Sequence, residues 1–375
     1  MGTVGLSLPI AVLDAWGLEP HVVECQPLSG GLSGALVFRV LVRREMGVPQ
    51  NVVVRGWPEG ISGDRVRDVQ RFVSAVRQAG CALVPQWIRS VDGSSCLTHQ
   101  QRIWEVTEWI EGEPWRPQTL THQELSEAVQ KGAAAIAQVH AAANQQTFSE
   151  TGRQTVVPPA VLERCQRLQV VQDWWEAGPL DADRLDGREW LGAADRVARA
   201  CWQTHGQAIT EWLAIAQTIA YPVQTVLRDV HEQHVLFQNA QVSGLIDFDA
   251  MRIDTPAVDL SRFAHGFLLR WGIQKLTSNL SPLFQMNAEW GDCLEKVVWP
   301  AALAGYRQHC SFSEQEAELA RHLGDVSSLF SLVNWVVWIS WEEKAGRLSE
   351  KITEDVARNR VEQLQQFAIN YFLAR

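Results

Sequence analysis

The hydrophobic pattern of the chain changes near residue 111, and this change restricts the possible folds more than any other feature. Before it, residues 20–57 contain two β-branched runs, LVFRVLVRR and NVVVRGW, separated by the turn-like GVPQ. Residues 63–80 have apolar side chains at helical spacing, and two more strand-like runs, SSCLTH and RIWEVTEWI, follow them. We therefore predict that the first part of the chain is β-rich and contains one helix.

The remainder of the chain is mainly helical in pattern. It begins with the alanine-rich ELSEAVQKGAAAIAQVHAAA, and only HVLF and VSGLID, on either side of QNAQ, indicate a small hairpin. The 375 residues are 46% apolar, which is enough for a large core. We predict an α+β, two-lobed fold. Residues 1–111 form a β-rich N-terminal lobe, residues 112–375 form a mainly α-helical C-terminal lobe, and ligands bind in the cleft between them.

Composition argues against several classes of partner. The formal net charge of −10 makes nucleic acid and anionic membranes poor candidates, and it would suit a cationic substrate. The seven cysteines are scattered without a C-x-x-C pair, as expected for thiols in a reducing cytoplasm. The apolar stretch Ser328–Trp341 is shorter than a membrane span and is predicted to be a core helix. We expect a cytoplasmic protein.

The segment from Val226 to Leu260 contains the candidate chemistry. Asp229 precedes the first strand of the predicted hairpin, His234 stands at the start of that strand, and Asp247 follows the second strand. Such a hairpin would bring the three side chains together. Phosphoryl transfer uses this kind of arrangement, in which one carboxylate orients and deprotonates the attacking hydroxyl and another holds the metal ion.

The motifs in this segment resemble those of a known family. LRDVHEQH resembles the catalytic loop H-x-D-x-x-x-x-N of kinase-like phosphotransferases, and IDFD resembles their metal-binding motif. With the following DTPAVDL, the chain is similar to aminoglycoside phosphotransferases and choline kinases. The resemblance implies a protein-kinase-like fold, with Asp229 as the catalytic base and Asp247 and His234 as metal ligands.

The same resemblance implies a nucleotide site in the N-terminal lobe. SGGLSG stands where the family has its phosphate-covering loop, and glycines let a backbone approach phosphate closely. VVVR matches the strand that carries a basic residue toward the phosphates, and EWIEG matches the hinge that binds adenine. The nucleotide-binding candidates are Gly30, Gly31, Ser33, Arg55, Glu108 and Ile110.

The implied function is phosphorylation of a small-molecule hydroxyl by ATP or another nucleoside triphosphate, with Mg²⁺ or Mn²⁺. The chain departs from the family pattern, because Leu227 replaces His, Arg228 replaces Gly and His234 replaces Asn in the catalytic loop. Imidazole is a poorer ligand for magnesium than an amide oxygen. The usual helix Glu is also absent, and Gln70 is the best candidate for its position. The changes at Leu227, Gln70 and His234 favour the alternative of an inactive, pseudokinase-like binding or regulatory module.

Taken singly, each motif has an ordinary structural interpretation. The glycines alone would form a hairpin turn, Arg55 would be a solvated strand end, and Asp259 would be a helix N-cap or a loop brace. HEQH over residues 231–234 lacks the spacing of the zinc motif HExxH. It is the combination and order of the motifs that favour an enzyme. No motif that we recognise in this sequence indicates which molecule accepts the phosphoryl group.

Overall fold

The structure of the chain is a computed structural model. It describes residues 8–28, 34–43, 47–145, 154–278, 289–342 and 352–374. Three of the nucleotide-binding candidates lie outside the described residues, namely Gly30, Gly31 and Ser33.

The first part of the chain forms a six-stranded antiparallel sheet and two helices. The strand order is β1-β2-β3-β6-β4, and β5 also pairs with β6. The elements are α1 (Ile10–Ala15), β1 (Val22–Leu28), β2 (Leu36–Val42), β3 (Gln50–Gly56), α2 (Gly63–Gln78), β4 (Trp87–Ile88), β5 (Leu97–His99) and β6 (Arg102–Glu108). The predicted strands and the predicted helix at 63–80 are therefore confirmed.

The two faces of this sheet have different roles, because successive side chains of a strand point to opposite sides. On one face, Val54 of β3 and Trp104 of β6 join a core cluster with Trp16 of α1. On the other face, toward α2, Arg55 and Glu105 lie directly opposite each other in the β3–β6 register. The alternation therefore places two charged side chains on the face that α2 covers.

The second part of the chain is mainly helical, as predicted. Its helices are α3 (His122–Gln145), α4 (Pro159–Glu176), α5 (Ala182–Leu185), α6 (Glu189–Ala216), α7 (Pro256–Ser278), α8 (Glu289–Cys293), α9 (Trp299–Tyr306), α10 (Glu314–Val337) and α11 (Glu354–Ala368). Short 3₁₀ helices span Glu19–His21 and Glu232–His234, and π-helical turns span Leu294–Val298, Trp338–Glu342 and Ile369–Leu373.

Two small sheets lie in this helical part. One has the order β11-β10-β7 and the other β12-β9-β8. Their strands are β7 (Glu113–Pro114), β8 (Gln154–Val156), β9 (Tyr221–Val226), β10 (Val235–Gln238), β11 (Gln241–Leu245) and β12 (Arg252–Asp254). The predicted hairpin is β10–β11. Its turn residues, Asn239 and Ala240, both have positive φ, as two-residue hairpin turns require.

Gly112 marks the point where the chain passes from the first sheet to the hairpin. Its φ is +135°, and an added Cβ would lie 3.0 Å from the Phe237 carbonyl oxygen and closer still to the Ser243 hydroxyl. A side chain would therefore clash with the hairpin in a backbone conformation that already favours glycine.

Helix α10 and the π-helical turn that follows it form the longest apolar segment. Glu314–Trp341 is long and apolar enough to cross a membrane by length and composition alone. However, 61% of the most apolar part of this segment is buried inside the protein. Core helices pass the same test, which agrees with the core position predicted for Ser328–Trp341.

Helices α3 and α9 approach each other closely at Gly305. A Cβ at this position would overlap the backbone carbonyl of Gln130 on α3. Ala304, the neighbouring residue on α9, is exposed. The contact between the two helices therefore depends on the missing side chain of Gly305.

We predict that Gly305→Ala lowers the free energy of unfolding by about 1–3 kcal/mol, because backbone atoms of α3 must move to admit the methyl group. Ala304→Ser is the matched control and should change it by less than about 0.5 kcal/mol. Urea denaturation of both variants measures the difference. Equal stability of Gly305→Ala and the wild type would contradict the close approach.

Candidate active site

The loop after β9 is held by a buried carboxylate. Asp259, near the start of α7, accepts hydrogen bonds from the backbone N–H groups of Leu227 at 2.7 Å and Arg228 at 2.6 Å. It also lies 2.9 Å from Nε2 of His140, whose Nδ1 is 2.7 Å from the Tyr306 hydroxyl. Asp259 is therefore a loop brace, one of the two interpretations left open by the sequence.

This bracing explains how the loop tolerates two departures from the family pattern. Leu227, in place of His, is buried in the core, and its N–H rather than its side chain meets Asp259. Arg228, in place of Gly, has φ of +72°, the left-handed conformation that favours glycine. Its guanidinium pairs with Asp254 and Glu163. The strained backbone is thus held by hydrogen bonds and ion pairs on both sides.

The His234 ring lies between the Asp229 backbone and the Asp247 carboxylate. Its Nδ1 lies 2.8 Å from the Asp229 carbonyl oxygen, and its Nε2 lies 3.6 Å from Oδ2 of Asp247. A carbonyl oxygen can only accept a hydrogen bond, so Nδ1 carries the proton. Nε2 of the neutral ring then presents a lone pair toward Asp247. Desolvation, and then the charge of His231, hold the pKa of His234 below its usual value. The ring is therefore in the neutral form that binds metals.

The donor set at Asp247 suits a metal ion that is shared with phosphates. Asp247 has φ of +65°, and its side chain is 44% exposed. Within the described ranges, no group of three or more His, Cys, Asp or Glu side chains could hold a metal ion. Magnesium in phosphotransferases is commonly held by one or two carboxylates together with substrate phosphates. One carboxylate and one imidazole fit that role, with manganese the better match for the nitrogen.

Asp229, the candidate base, faces a cavity and already has a cationic partner. Arg262 of α7 forms an ion pair with its carboxylate through Nε. Both side chains are partly open to solvent, at 44% and 40% exposure. The pair can therefore exchange partners when a ligand enters.

Arg55, the candidate phosphate ligand, is paired within the protein. Its guanidinium makes a two-pronged ion pair with Asp249, one bond of which is 2.6 Å long, and it lies 4.5 Å from the ring centre of Trp57. Glu105 lies 4.0 Å away. Desolvation alone would lower the pKa of Arg55, but Asp249 and Glu105 raise it above its ordinary value.

Gln70 does not contact Arg55. It is buried on α2 and donates from Nε2 to Glu105 at 2.9 Å. The carboxylate beside Arg55 therefore comes from the neighbouring strand, not from the helix. Burial raises the pKa of Glu105, against the influence of Arg55 and Gln70. The sequence signal for Glu105 is a single carboxylate between the apolar Trp104 and Val106.

The two hinge candidates differ in what they bind. The Glu108 carboxylate accepts hydrogen bonds from Arg77 at 2.7 Å and from the Gln86 N–H at 3.1 Å, and the Glu108 N–H bonds to the Gln86 carbonyl. The Ile110 side chain approaches Gly244 of β11. In the described part of the chain, the backbone of Ile110 makes no hydrogen bond. Ile110 is thus the better placed of the two to offer backbone groups to adenine.

We predict that the carboxylate beside Arg55 can be supplied from position 70 of α2 instead of position 105 of β6. Gln70→Glu alone would place two buried carboxylates side by side and lower the free energy of unfolding by about 3 kcal/mol. Adding Glu105→Gln should recover most of this loss. Thermal unfolding of the single and double variants measures the coupling.

Gln78→Glu, at the exposed end of the same helix, is the matched control and should change stability by less than about 0.5 kcal/mol. A double variant as unstable as Gln70→Glu alone would show that the two side chains do not form one unit.

Comparison with known proteins identifies the family. The model of the APH phosphotransferase enzyme family matches residues 24–290, more than half of the chain, so the chain belongs to this family. No curated protein sequence matches the chain.

Several solved structures share the fold. A spectinomycin phosphotransferase in complex with ADP and spectinomycin is 10% identical, with a TM-score of 0.58, covering 96% of this chain and 95% of its own. An amicoumacin kinase in complex with AMP-PNP and Ca²⁺ is 10% identical, with a TM-score of 0.53, covering 92% and 87%. A macrolide 2′-phosphotransferase from Brachybacterium faecium is 14% identical, with a TM-score of 0.50, covering 96% and 98%. These likenesses confirm the two-lobed, protein-kinase-like fold.

Proposed function

We propose that the chain transfers the γ-phosphoryl group of ATP, or of another nucleoside triphosphate, to a hydroxyl of a small molecule. One observation carries the proposal. The His234 ring lies 2.8 Å from the Asp229 carbonyl oxygen and 3.6 Å from the Asp247 carboxylate, and Asp259 holds the loop of Asp229 and His234 by two backbone hydrogen bonds. Membership of a phosphotransferase family supports it, as do structural neighbours in complex with ADP or AMP-PNP.

Asp229 would act as the base. Its carboxylate would accept the hydroxyl proton as the hydroxyl oxygen forms a bond to the γ-phosphorus, and the bond from that phosphorus to the bridging oxygen of the diphosphate breaks. The products are a phosphate ester, the nucleoside diphosphate and a proton that passes from Asp229 to solvent. Arg262 pairs with Asp229 and holds its carboxylate in place before the acceptor arrives.

Other residues would hold the nucleotide and its metal ion. Asp247 and His234 would bind Mg²⁺ or Mn²⁺, which neutralises charge on the phosphate oxygens when bound. Arg55 would exchange Asp249 for phosphate, and Glu105 would keep its guanidinium in place. The backbone of Ile110 would receive adenine, and the segment with Gly30 would cover the phosphates.

The alternative is a binding or regulatory module without catalysis. Its support is that Asp229 and Arg55, the two groups that the reaction needs free, are both ion-paired within the protein. His234 at the metal position adds to that support. We favour the enzyme because both pairs are partly exposed, and because the catalytic loop is fully braced.

The choice of metal tests the proposed site. We predict that the wild type binds the ATP analogue AMP-PCP more tightly with Mn²⁺ than with Mg²⁺. His234→Asn should shift the preference toward Mg²⁺ by about tenfold, because an amide oxygen replaces the nitrogen donor. Asp247→Ala should abolish the metal-dependent part of binding. Titration calorimetry with each metal measures these affinities.

His309→Asn makes the same chemical change at an exposed residue of the helical part and should leave both affinities unchanged. Saturating AMP-PCP at about 100 times its Kd should also stabilise the wild type by about 2.7 kcal/mol. If neither metal supports nucleotide binding to the wild type, the proposed function is wrong. Binding that appears only in His234→Asn would favour the inactive module.

A further inference from the structure

A cavity of 380 Å³ opens beside Asp229, between helices α4, α7, α10 and α11. Among the residues that the structure describes, its charged lining is mainly basic, with four arginines and two carboxylates. The charged residues are Arg164, Arg228, Arg262, Arg360, Asp229 and Glu232. The cavity that adjoins the candidate base is therefore cationic, although the whole chain carries a net charge of −10.

Two of the four arginines are already neutralised. Arg228 pairs with Asp254 and Glu163, and Arg262 pairs with Asp229. Arg164 and Arg360 form no ion pair within 4.0 Å among the residues that the structure describes, although Asp254 acts on Arg164, and Glu232 and Asp229 on Arg360, at longer range. These two are the cavity arginines that no described carboxylate contacts directly.

Arg164 is fixed in place by neutral groups. Its Nε and Nη2 donate to the Ser327 hydroxyl at 2.9 and 2.6 Å, and its Nη1 donates to the Ala160 carbonyl at 2.8 Å. Desolvation lowers the pKa of Arg164 to about 10, so the guanidinium stays protonated at neutral pH. Asp254 opposes this shift from a distance. A buried cation without a contacting counter-ion is costly, and an anion in the cavity would offset that cost.

Arg360 approaches the same cavity from α11. Its side chain makes no hydrogen bond to another residue in the described ranges, and it lines the cavity. Desolvation and the charge of Arg262 lower the pKa of Arg360, whereas Glu232 and Asp229 raise it. The guanidinium therefore has free donors in a cavity with other cations. Arginine donors in such a setting suit carboxylate or phosphate, which they bind with two parallel hydrogen bonds.

We propose that the acceptor is an anionic hydroxyl compound, whose carboxylate or phosphate group binds Arg164 and Arg360 while its hydroxyl faces Asp229. This inference rests on the proposed phosphotransferase function and specifies its substrate class. The serines of α10 at the cavity wall, Ser328 and Ser331, offer neutral hydrogen-bonding groups to further hydroxyls of the acceptor. The cationic acceptor suggested by overall charge would instead meet repulsion from the arginines.

The test uses three small hydroxyl compounds that share a three-carbon skeleton and differ in charge: glycerate, glycerol and 3-aminopropane-1,2-diol. Titration calorimetry with the AMP-PCP–Mn²⁺ complex present measures their affinities. We expect glycerate to bind at least about tenfold more tightly than the other two, which corresponds to one charge-assisted hydrogen bond. The glycerate affinity should fall by about tenfold in Arg164→Gln and in Arg360→Gln.

Arg358→Gln is the matched control, because Arg358 is an exposed arginine on the same helix and lies outside the cavity. Arg360→Gln removes a side chain without a hydrogen-bonding partner, so it tests the proposal even if Arg164→Gln does not fold. Tighter binding of aminopropanediol than glycerate, no glycerate binding to the wild type, or unchanged glycerate affinity in a folded Arg360→Gln would overturn the anionic acceptor.

Nucleotide binding to the same samples separates this inference from the function on which it rests. Nucleotide binding without a preference for glycerate would overturn the anionic acceptor and leave the phosphotransferase function intact. Glycerate binding that depends on Arg360, with no nucleotide binding, would contradict the phosphotransferase function and uphold the anion site.

Discussion

The Asp259 carboxylate is the interaction on which the candidate site depends. It accepts hydrogen bonds from the backbone N–H groups of Leu227 and Arg228 and lies within hydrogen-bonding distance of His140. One buried carboxylate therefore connects α7, α3 and the loop after β9. The next residue, Asp229, is thereby presented at the edge of the cavity. Its carbonyl in turn orients His234 toward Asp247. Loss of the brace would release the candidate base, Asp229, together with the candidate metal ligand His234, because one short loop carries both.

The fold and the central residues could be predicted from the sequence because their signals are local. Strand alternation, helical spacing and the hairpin between Asp229 and Asp247 are each contained in a few tens of residues. Glu105 was missed because its partner, Arg55, is near it only through the pairing of β3 with β6. Arg164 and Arg360 were missed because they meet only when α4 and α11 pack around one cavity. A short sequence motif cannot indicate a contact between residues that are so far apart in the chain.

Charge is distributed unevenly over the molecule, and this distribution bears on mechanism. The two groups that the proposed reaction would need, Arg55 and Asp229, are each paired with an opposite charge, Asp249 and Arg262 respectively. Phosphate would compete with Asp249 for Arg55, and an anionic acceptor would compete with Asp229 for Arg262. Binding of the two substrates would therefore free the groups that act on them. A paired resting state of this kind fits an enzyme as well as it fits an inactive module.

The most direct test of the account is pulsed EPR of Mn²⁺ bound with AMP-PCP to the wild-type chain. Coordination by His234 Nε2 would add modulation from a directly bound nitrogen, since AMP-PCP supplies phosphate oxygens as ligands. The account predicts this modulation in the wild type, its loss in His234→Asn, and no bound Mn²⁺ in Asp247→Ala. Bound Mn²⁺ without nitrogen modulation in the wild type, or modulation that persists in His234→Asn, would contradict the assignment of His234 and Asp247 as the metal-binding pair.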